Sequence, residues 1–227
     1  MIKIENVVGP SPEQMMFIIQ GMRNPMNSWD KSDSAIVQSS VSEGRKDILQ
    51  LGYSDFDLMY RLVKGGPEHR KFMRMMPIYV RITAPLYFWK EADTYKIGTV
   101  SNSCSTMHKI HSKEFTVEDF STEHVYERGS KAYLALVDTI DALNYYRDRY
   151  LQSKSKEDWW QMIHLLPSSY NQTRNLSMNY EVLYNIYNQR QGHKLDEWNE
   201  FCRWIEDVPY TVIFDFASLS KRMKKED

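Results

Sequence analysis

Alternating apolar and polar residues open the chain and predict its first strand. The alternation runs from Ile2 to Val8 and ends at Gly9-Pro10. Ser11 then precedes Pro12 and an acidic residue, which is a common helix start because a serine side chain can cap the first turn. The pattern therefore predicts an early strand followed by a helix that reaches about Met22.

Further periodic segments predict a helix-rich chain whose strands lie mainly in the first half. Alternate apolar residues between Met75 and Ala84 predict a strand that Pro85 ends or bends. Residues 24–47 have no clear period and are interpreted as loop or weak helix. The segments with helical spacing or capping residues are predicted to be helices, and they are 54–64, 115–125, 129–152, 157–165, 169–191 and 194–205.

The segment 169–191 places polar residues on an apolar face. Leu176, Asn179, Leu183, Ile186 and Arg190 recur at steps of three and four. A buried amide or guanidinium needs a partner, since an unpaired polar group costs about 1–3 kcal/mol. In one interpretation Asn179 bonds a backbone carbonyl and Arg190 bonds a carboxylate. In the other, a ligand lies along roughly 16 Å of helix, with Arg190 on an anion or a polar ring edge.

Composition and charge narrow the classes of partner. Hydrophobic residues make up 42% and charged residues 26%, and the formal net charge is −1. Such a chain has no global basic field, so neither a nucleic-acid polymer nor a membrane surface is expected as a partner. We expect one domain over residues 1–220 with a charged, frayed tail over residues 221–227.

The two cysteines, Cys104 and Cys202, form no CxxC pair, so no metal site is expected. A disulfide between them is one interpretation, and two thiols in a reducing compartment is the other. No basic stretch with a following apolar run opens the chain, and no window approaches the roughly 20 apolar residues of a membrane helix. The sequence therefore favours a cytoplasmic protein.

A set of spacings in the second half carries a family resemblance. Leu166-Pro167 is followed by Asn179 twelve residues after the proline, then by Asn185, and Arg190 stands eleven residues after the first asparagine. In this register the chain resembles the flavin-dependent thymidylate synthases. The resemblance implies an α/β (α+β) fold, namely a single helix-rich domain with a central, mostly antiparallel sheet, and a homotetramer.

The resemblance also implies a chemistry and two sets of site residues. The family moves a one-carbon unit from a folate to C5 of deoxyuridine monophosphate, with FAD reduced by NADPH. The positions that correspond to cofactor-binding residues are His69, Tyr95, Lys96, Asn179 and Asn185. Those that correspond to substrate-binding residues are Glu91, Ser103, Cys104, Ser105 and Arg190.

Several positions depart from the family pattern. Its Arg-His-Arg signature falls on Thr94-Tyr95-Lys96, and its glutamine falls on Glu91. A carboxylate only accepts hydrogen bonds, which would favour an amino-bearing base such as cytosine. The hydroxyl-rich loop 101–106 is interpreted either as a phosphate site or as a simple turn. Cys104 is interpreted either as a nucleophile or as an inert thiol.

Two functional hypotheses therefore stand. The first is an FAD-dependent transferase that acts on C5 of a deoxypyrimidine monophosphate. The second is a non-catalytic or altered-specificity relative that keeps the fold and binds a nucleotide, a flavin or a protein partner. Fold alone does not decide between them.

Overall fold

The structure is a computed structural model that describes residues 2–41 and 44–216. By its internal contacts the chain separates into two units. Among the described residues, unit 1 comprises residues 2–5, 81–94 and 101–175, and unit 2 comprises residues 6–41, 44–80, 95–100 and 176–216. One domain over residues 1–220 stays a prediction, and the predicted tail, 221–227, lies outside the described residues.

The larger sheet of the described chain has the strand order β1-β4-β6-β5. Its strands are β1 (Lys3–Val8), β4 (Pro77–Pro85), β5 (Val100–Ser103) and β6 (Asn171–Asn179). This sheet is antiparallel and is combined with many helices, so the predicted helix-rich fold class is confirmed. The predicted strands at Ile2–Val8 and Met75–Ala84 correspond to β1 and β4. Ile78 and Ile82 of β4 are fully buried, as the alternation requires.

In unit 2 the first helices follow their capping signals. Helix α1 (Pro12–Arg23) begins with a capping box, in which the Ser11 hydroxyl accepts from the Gln14 N–H and the Gln14 side chain accepts from the Ser11 N–H. Helix α2 (Tyr53–Lys64) has Gly52 rather than Ser54 at its N-cap. The Asp33 carboxylate accepts from the N–H groups at the start of α2, so a distant residue supplies the cap. A short helix, α3 (Lys71–Arg74), follows.

The prediction of loop or weak helix for residues 24–47 is wrong for residues 35–41 and 44–47, whereas residues 24–34 form loop with two short 3-10 turns. Strands β2 (Ala35–Val41) and β3 (Gly44–Gln50) pair antiparallel, with Ala35 opposite Gln50. Ile36 and Ile48 are both exposed. The segment has no strong alternation of apolar and polar residues, so pairing between the two strands, and not a local signal, decides its structure.

The remaining unit 1 helices are α4 (Leu86–Ala92), α5 (Lys131–Ser153) and α6 (Lys156–Leu165). Helices α5 and α6 were predicted within a few residues of these bounds. Their buried residues join an apolar cluster of Ile110, Phe115, Phe120, Ile140, Leu143 and Met162. The predicted helix over 115–125 is wrong, because only a 3-10 turn, Val117–Asp119, forms after the Thr116 capping box. After this turn the buried Phe120 has an extended backbone conformation and forms a bridge with Tyr170, which ends the helical segment.

The predicted single helix over 169–191 is also wrong. Residues 171–179 form β6, and helix α7 (Tyr180–Arg190) begins only after Asn179. Leu176 and Met178 are buried two residues apart, which is strand spacing. The steps of three and four from Leu176 to Leu183 cross the junction between a strand and a helix, so they do not reflect one helical face. Helix α8 (Asp196–Asp207) completes unit 2 close to its predicted bounds.

Candidate functional site

A polar groove of about 500 Å³ lies in unit 1 beside the end of β5. The predicted hydroxyl-rich loop contributes Cys104, Ser105 and Thr106 to it. The opposite lining comes from the start of β6 and the segment after the loop, and it includes Lys109, Lys113, Tyr170, Asn171, Gln172 and Thr173. With Glu118 and Asp119, which also line it, the groove gathers amides, hydroxyls, a thiol, two lysines and two carboxylates in one place.

Cys104 is held at the groove by its backbone. Its N–H donates to the Thr173 carbonyl at 2.9 Å, and its own carbonyl accepts from the Gln172 side-chain amide at 2.8 Å. The Thr173 hydroxyl also meets the Thr83 hydroxyl at 2.7 Å. Because both backbone groups of Cys104 are bonded to β6, its exposed side chain has a fixed starting point at the groove.

Ser105 makes the turn that the alternative interpretation of the loop expected. Its hydroxyl accepts from the N–H groups of Met107 and His108, at 3.3 and 2.9 Å. Ser103, at the end of β5, is exposed. The loop thus contains a turn that is stabilised by the Ser105 side chain, and it also presents polar groups to the groove. The turn interpretation and the binding interpretation therefore do not exclude each other.

The charged residues of the groove differ in their surroundings. Lys113 forms an ion pair with Asp119, while Lys109 is exposed at the lining. Burial lowers the pKa of nearby His111, and so do the positive charges of Lys154, Lys109 and Arg147. The groove lining itself carries two lysines and two carboxylates, Glu118 and Asp119, so its formal charges balance and Lys109 is the candidate contact for an anionic ligand.

In unit 2, Arg190 belongs to a cluster of aromatic and polar side chains. Its guanidinium carbon lies 4.7 Å from the centroid of the Trp198 ring, and its Nε donates to the Tyr95 hydroxyl at 3.0 Å. The Tyr95 hydroxyl in turn donates to the Gln189 side chain at 3.0 Å, and the His193 ring lies 3.2 Å from the guanidinium. Arg190 is therefore half-buried among protein partners.

Asn179 caps α7 and does not lie on the face of a longer helix. Its side-chain oxygen accepts from the Val182 N–H at 3.1 Å. Gly98 approaches it closely, since a Cβ at Gly98 would lie 2.7 Å from the Asn179 amide nitrogen, and Gly98 has a φ of +78°. Asn179 and Arg190 thus stand at the two ends of α7, and residues 95–98 contact both ends.

The other predicted site residues differ in how far they are exposed. His69 lies exposed in the turn after α2, and Lys96 and Asn185 are also exposed. Glu91 is half-buried on α4. The structure brings Cys104 and Ser105 together in unit 1 and joins Tyr95 with Arg190 in unit 2.

Several groove and cluster residues were missed by sequence reasoning, including Lys109, Asn171, Gln172, Thr173, His193 and Trp198. Residues 171–173 were missed because they were assigned to a helix. Read as a strand, the alternating Asn171 and Thr173 would have shown polar side chains on one face. Trp198 lies in the helix predicted over 194–205, and no local signal indicates that its ring would pack against a guanidinium.

Comparison with known proteins finds solved structures with a similar fold but no family model or curated protein with a similar sequence. No protein-family model matches the chain, and no curated protein sequence matches it. Thymidylate synthase X (ThyX) from Helicobacter pylori, solved with FAD and dUMP, is similar with a TM-score of 0.61 and 16% identity, covering 95% of this chain and 97% of that one. A second structure of flavin-dependent ThyX from Helicobacter pylori gives a TM-score of 0.60 at 16% identity, with 94% and 97% coverage. The chain has the fold of ThyX.

A third solved structure extends the comparison. The UMP/dUMP methylase PolB from Streptomyces cacaoi, bound with 5-Br dUMP, has a TM-score of 0.53 at 12% identity, covering 84% of this chain and 77% of that one. At these identities the likeness to ThyX and PolB establishes the fold, and the chemistry has to be argued from the site. Among the described residues no helix is long and apolar enough to cross a lipid bilayer.

Proposed function

We propose that the protein binds a deoxypyrimidine monophosphate in the unit 1 groove and transfers a one-carbon unit to C5 of its base. Deoxyuridine monophosphate is the first ligand to test. The observation that carries the proposal is the groove itself, which gathers Cys104, Ser105 and Lys109 within a ThyX fold. Its volume of about 500 Å³ is within the range of small-molecule sites.

The lining residues divide into groups with distinct roles in this proposal. The Lys109 ammonium would pair with the phosphate, and the hydroxyls of the loop would donate to its oxygens. The side chains of Asn171 and Tyr170 offer hydrogen bonds to the polar edge of a base. Cys104 is the nucleophile candidate, because its exposed thiol lies at the same groove.

The proposed cofactor is FAD, which would supply the reducing equivalents for the transfer, with NADPH and a folate as co-reactants. Of the residues that the resemblance assigns to the flavin, His69, Lys96 and Asn185 are exposed and would be able to contact it. Tyr95 and Asn179 do not fit this role in the same way, because their polar groups already bond Arg190 and Val182. The flavin part of the proposal therefore rests on three of the five positions.

A second function, nucleotide binding without flavin chemistry, is favoured by Tyr95, a position that the resemblance assigns to the flavin but whose hydroxyl is bonded to Arg190 and Gln189. The resemblance assigns Arg190 to the nucleotide, but its guanidinium packs on Trp198 and donates to Tyr95. A relative that kept the fold and lost the flavin site would keep such a cluster for stability.

Titration of the purified protein with FAD and with deoxyuridine monophosphate separates these functions. The transferase proposal expects a flavin absorption spectrum, saturable nucleotide binding, and release of deuterium from C5-labelled nucleotide when NADPH and the folate are present. Nucleotide binding by a colourless protein that takes up no FAD would support the second function. Absence of binding to any pyrimidine monophosphate would refute both. Light scattering on the same preparation would test the proposed homotetramer.

Base preference provides a separate test of Glu91. If its carboxylate accepts from the amino group of cytosine, deoxycytidine monophosphate should bind more tightly than deoxyuridine monophosphate, and Glu91→Gln should reverse the order. An unchanged preference in the variant would remove Glu91 from base recognition.

A further inference from the structure

The segment that carries Cys104 continues the sheet beyond the last residue of β5. Strand β5 ends at Ser103, yet the Cys104 N–H still donates to the Thr173 carbonyl at 2.9 Å. The Cys104 carbonyl then accepts from a side chain, the Gln172 amide, at 2.8 Å. A side chain of β6 therefore takes the place of the next backbone donor at the point where the loop turns into the groove.

The orientation of the Gln172 amide is set by a second residue. The Arg174 Nε donates to the Gln172 Oε1 at 2.9 Å. Arginine can only donate, so the oxygen of the amide has to face Arg174 and its NH₂ group has to face the Cys104 carbonyl. Gln172 is 7% exposed, and a buried amide with both ends bonded has little freedom to turn.

Arg174 is itself fixed by two neighbours in unit 1. It forms an ion pair with Asp93 at 2.6 Å, and its guanidinium lies 4.4 Å from the centroid of the Trp89 ring. The Trp89 Nε1 donates to the Gln172 carbonyl at 2.9 Å. Asp93, Arg174, Gln172 and the Cys104 carbonyl thus form a continuous chain of polar contacts that leads to the groove.

We propose that Gln172 is a positioning residue that fixes the Cys104 segment against β6 and so sets where the thiol and the following hydroxyls stand in the groove. Its effect on nucleotide binding rests on the proposed function, whereas its effect on the segment does not. Arg174 acts one step further away by holding the Gln172 amide in its orientation.

The Gln172→Glu variant tests this arrangement with an almost isosteric change. The carboxylate keeps an acceptor for Arg174 but places a second acceptor against the Cys104 carbonyl, which removes the hydrogen bond and adds repulsion. Hydrogen exchange measured by mass spectrometry should show the Cys104 N–H exchanging about tenfold faster. The exposed Gln152 of α5 gives the matched control, Gln152→Glu, which should leave that rate unchanged.

Two further variants keep the test decisive. If Gln172→Glu does not fold, Gln172→Met takes its place in the test. It removes both polar ends of the side chain and should also speed exchange at the Cys104 N–H. Asp93→Asn leaves Gln172 in place but removes the negative charge that pairs with Arg174. We therefore expect a smaller increase, about threefold, in the exchange rate of the Cys104 N–H. Unchanged exchange at Cys104 in folded Gln172 variants would overturn the proposal.

Nucleotide affinity separates this inference from the proposed function. If both hold, the dissociation constant for deoxyuridine monophosphate should rise about tenfold in Gln172→Glu, in step with the faster exchange. Wild-type protein that binds no pyrimidine monophosphate would refute the proposed function, and the exchange rates would still decide the role of Gln172. Faster exchange with unchanged affinity would overturn the part of the proposal that links the segment to the ligand.

Discussion

The groove of unit 1 and the Arg190 cluster of unit 2 use similar polar residues in different ways. In the groove, Ser105, Lys109 and Asn171 line a cavity. In the cluster, Arg190 and Tyr95 bond each other and pack on Trp198. The resemblance assigned residues from both regions to one nucleotide. The difference shows that spacing along a chain identifies a position in a fold, whereas local contacts decide whether that position faces a ligand or stabilises the protein.

The two cysteines give the largest contrast between the regions. Burial, with a smaller contribution from the charge of Glu206 and against the opposing charge of Arg190, raises the pKa of Cys202 to about 12. An ordinary thiol has a pKa of about 8.5, so the Cys202 thiolate should be roughly a thousandfold scarcer at pH 7. Cys104 is exposed at the groove. We expect one thiol per native chain to react with Ellman's reagent, at least about a hundredfold faster than the other.

Single substitutions assign the reactive thiol. Cys104→Ser should abolish the fast phase, Cys202→Ser should preserve it, and unfolding in guanidinium should expose the second thiol of the wild-type chain. Equal rates for the two thiols of the native protein would break the contrast between groove and cluster.

The second-largest effect is expected at a buried ion pair of unit 2, where polar groups are again bonded to one another. The Arg23 Nε donates to the Asp55 carboxylate at 2.6 Å, and both side chains are almost fully buried. Arg23→Met would leave the carboxylate without its charge partner, which should lower the free energy of unfolding by about 3–5 kcal/mol. The exposed pair Arg61–Asp57 is the matched control, and Arg61→Met should cost below about 1 kcal/mol. If urea denaturation gave equal losses of unfolding free energy for Arg23→Met and Arg61→Met, the stabilising role of the buried Arg23–Asp55 pair would be contradicted.

The same carboxylate predicts a pH dependence. Burial acts to raise the pKa of Asp55, but hydrogen bonds from Ser34, Arg23 and Ser32 outweigh it, so the pKa lies below its usual value. A lowered pKa in the folded state adds stability that is complete above the unfolded value of about 3.9 and is lost as the pH falls through the folded value. The difference in unfolding free energy between the wild type and Asp55→Asn should therefore be constant above about pH 5 and shrink toward pH 3.

An intermediate effect on the free energy of unfolding is expected at Arg190. Its measurement tests whether Arg190 stabilises the protein or binds the nucleotide. Arg190→Leu removes the stacking on Trp198 and the hydrogen bond to Tyr95, so the free energy of unfolding should fall by about 1–2 kcal/mol. The dissociation constant for deoxyuridine monophosphate should change less than about twofold, because the contacts of Arg190 lie within the protein. Measuring stability and affinity on one preparation tests both statements. A tenfold loss of affinity at unchanged stability would instead support the nucleotide role implied by the family resemblance.

Sequence reasoning succeeded where a local signal matched the structure and failed where distant strands determined it. The capping residues around Ser11 and the alternation through Ile78 and Ile82 identified α1 and β4. Residues 171–179 were mistaken for helix because backbone pairing with other strands cannot be read from apolar steps of three and four. That error also hid Gln172 and Thr173, so only the loop half of the groove was predicted.

The smallest predicted effect concerns the exposed cation of the groove. An ammonium at a solvent-exposed site contributes about 0.2–1 kcal/mol to pairing with an anion, so Lys109→Gln should weaken binding of deoxyuridine monophosphate by a factor of about 1.4 to 5. The loss should diminish as salt rises from 50 to 500 mM, because ions screen an exposed pair. Lys131→Gln, at the exposed start of α5, is the matched control and should not alter affinity. If Lys109→Gln and Lys131→Gln behave alike while the nucleotide still binds, its phosphate does not lie at the Lys109 side of the groove, and the loop hydroxyls become the remaining phosphate contacts to test.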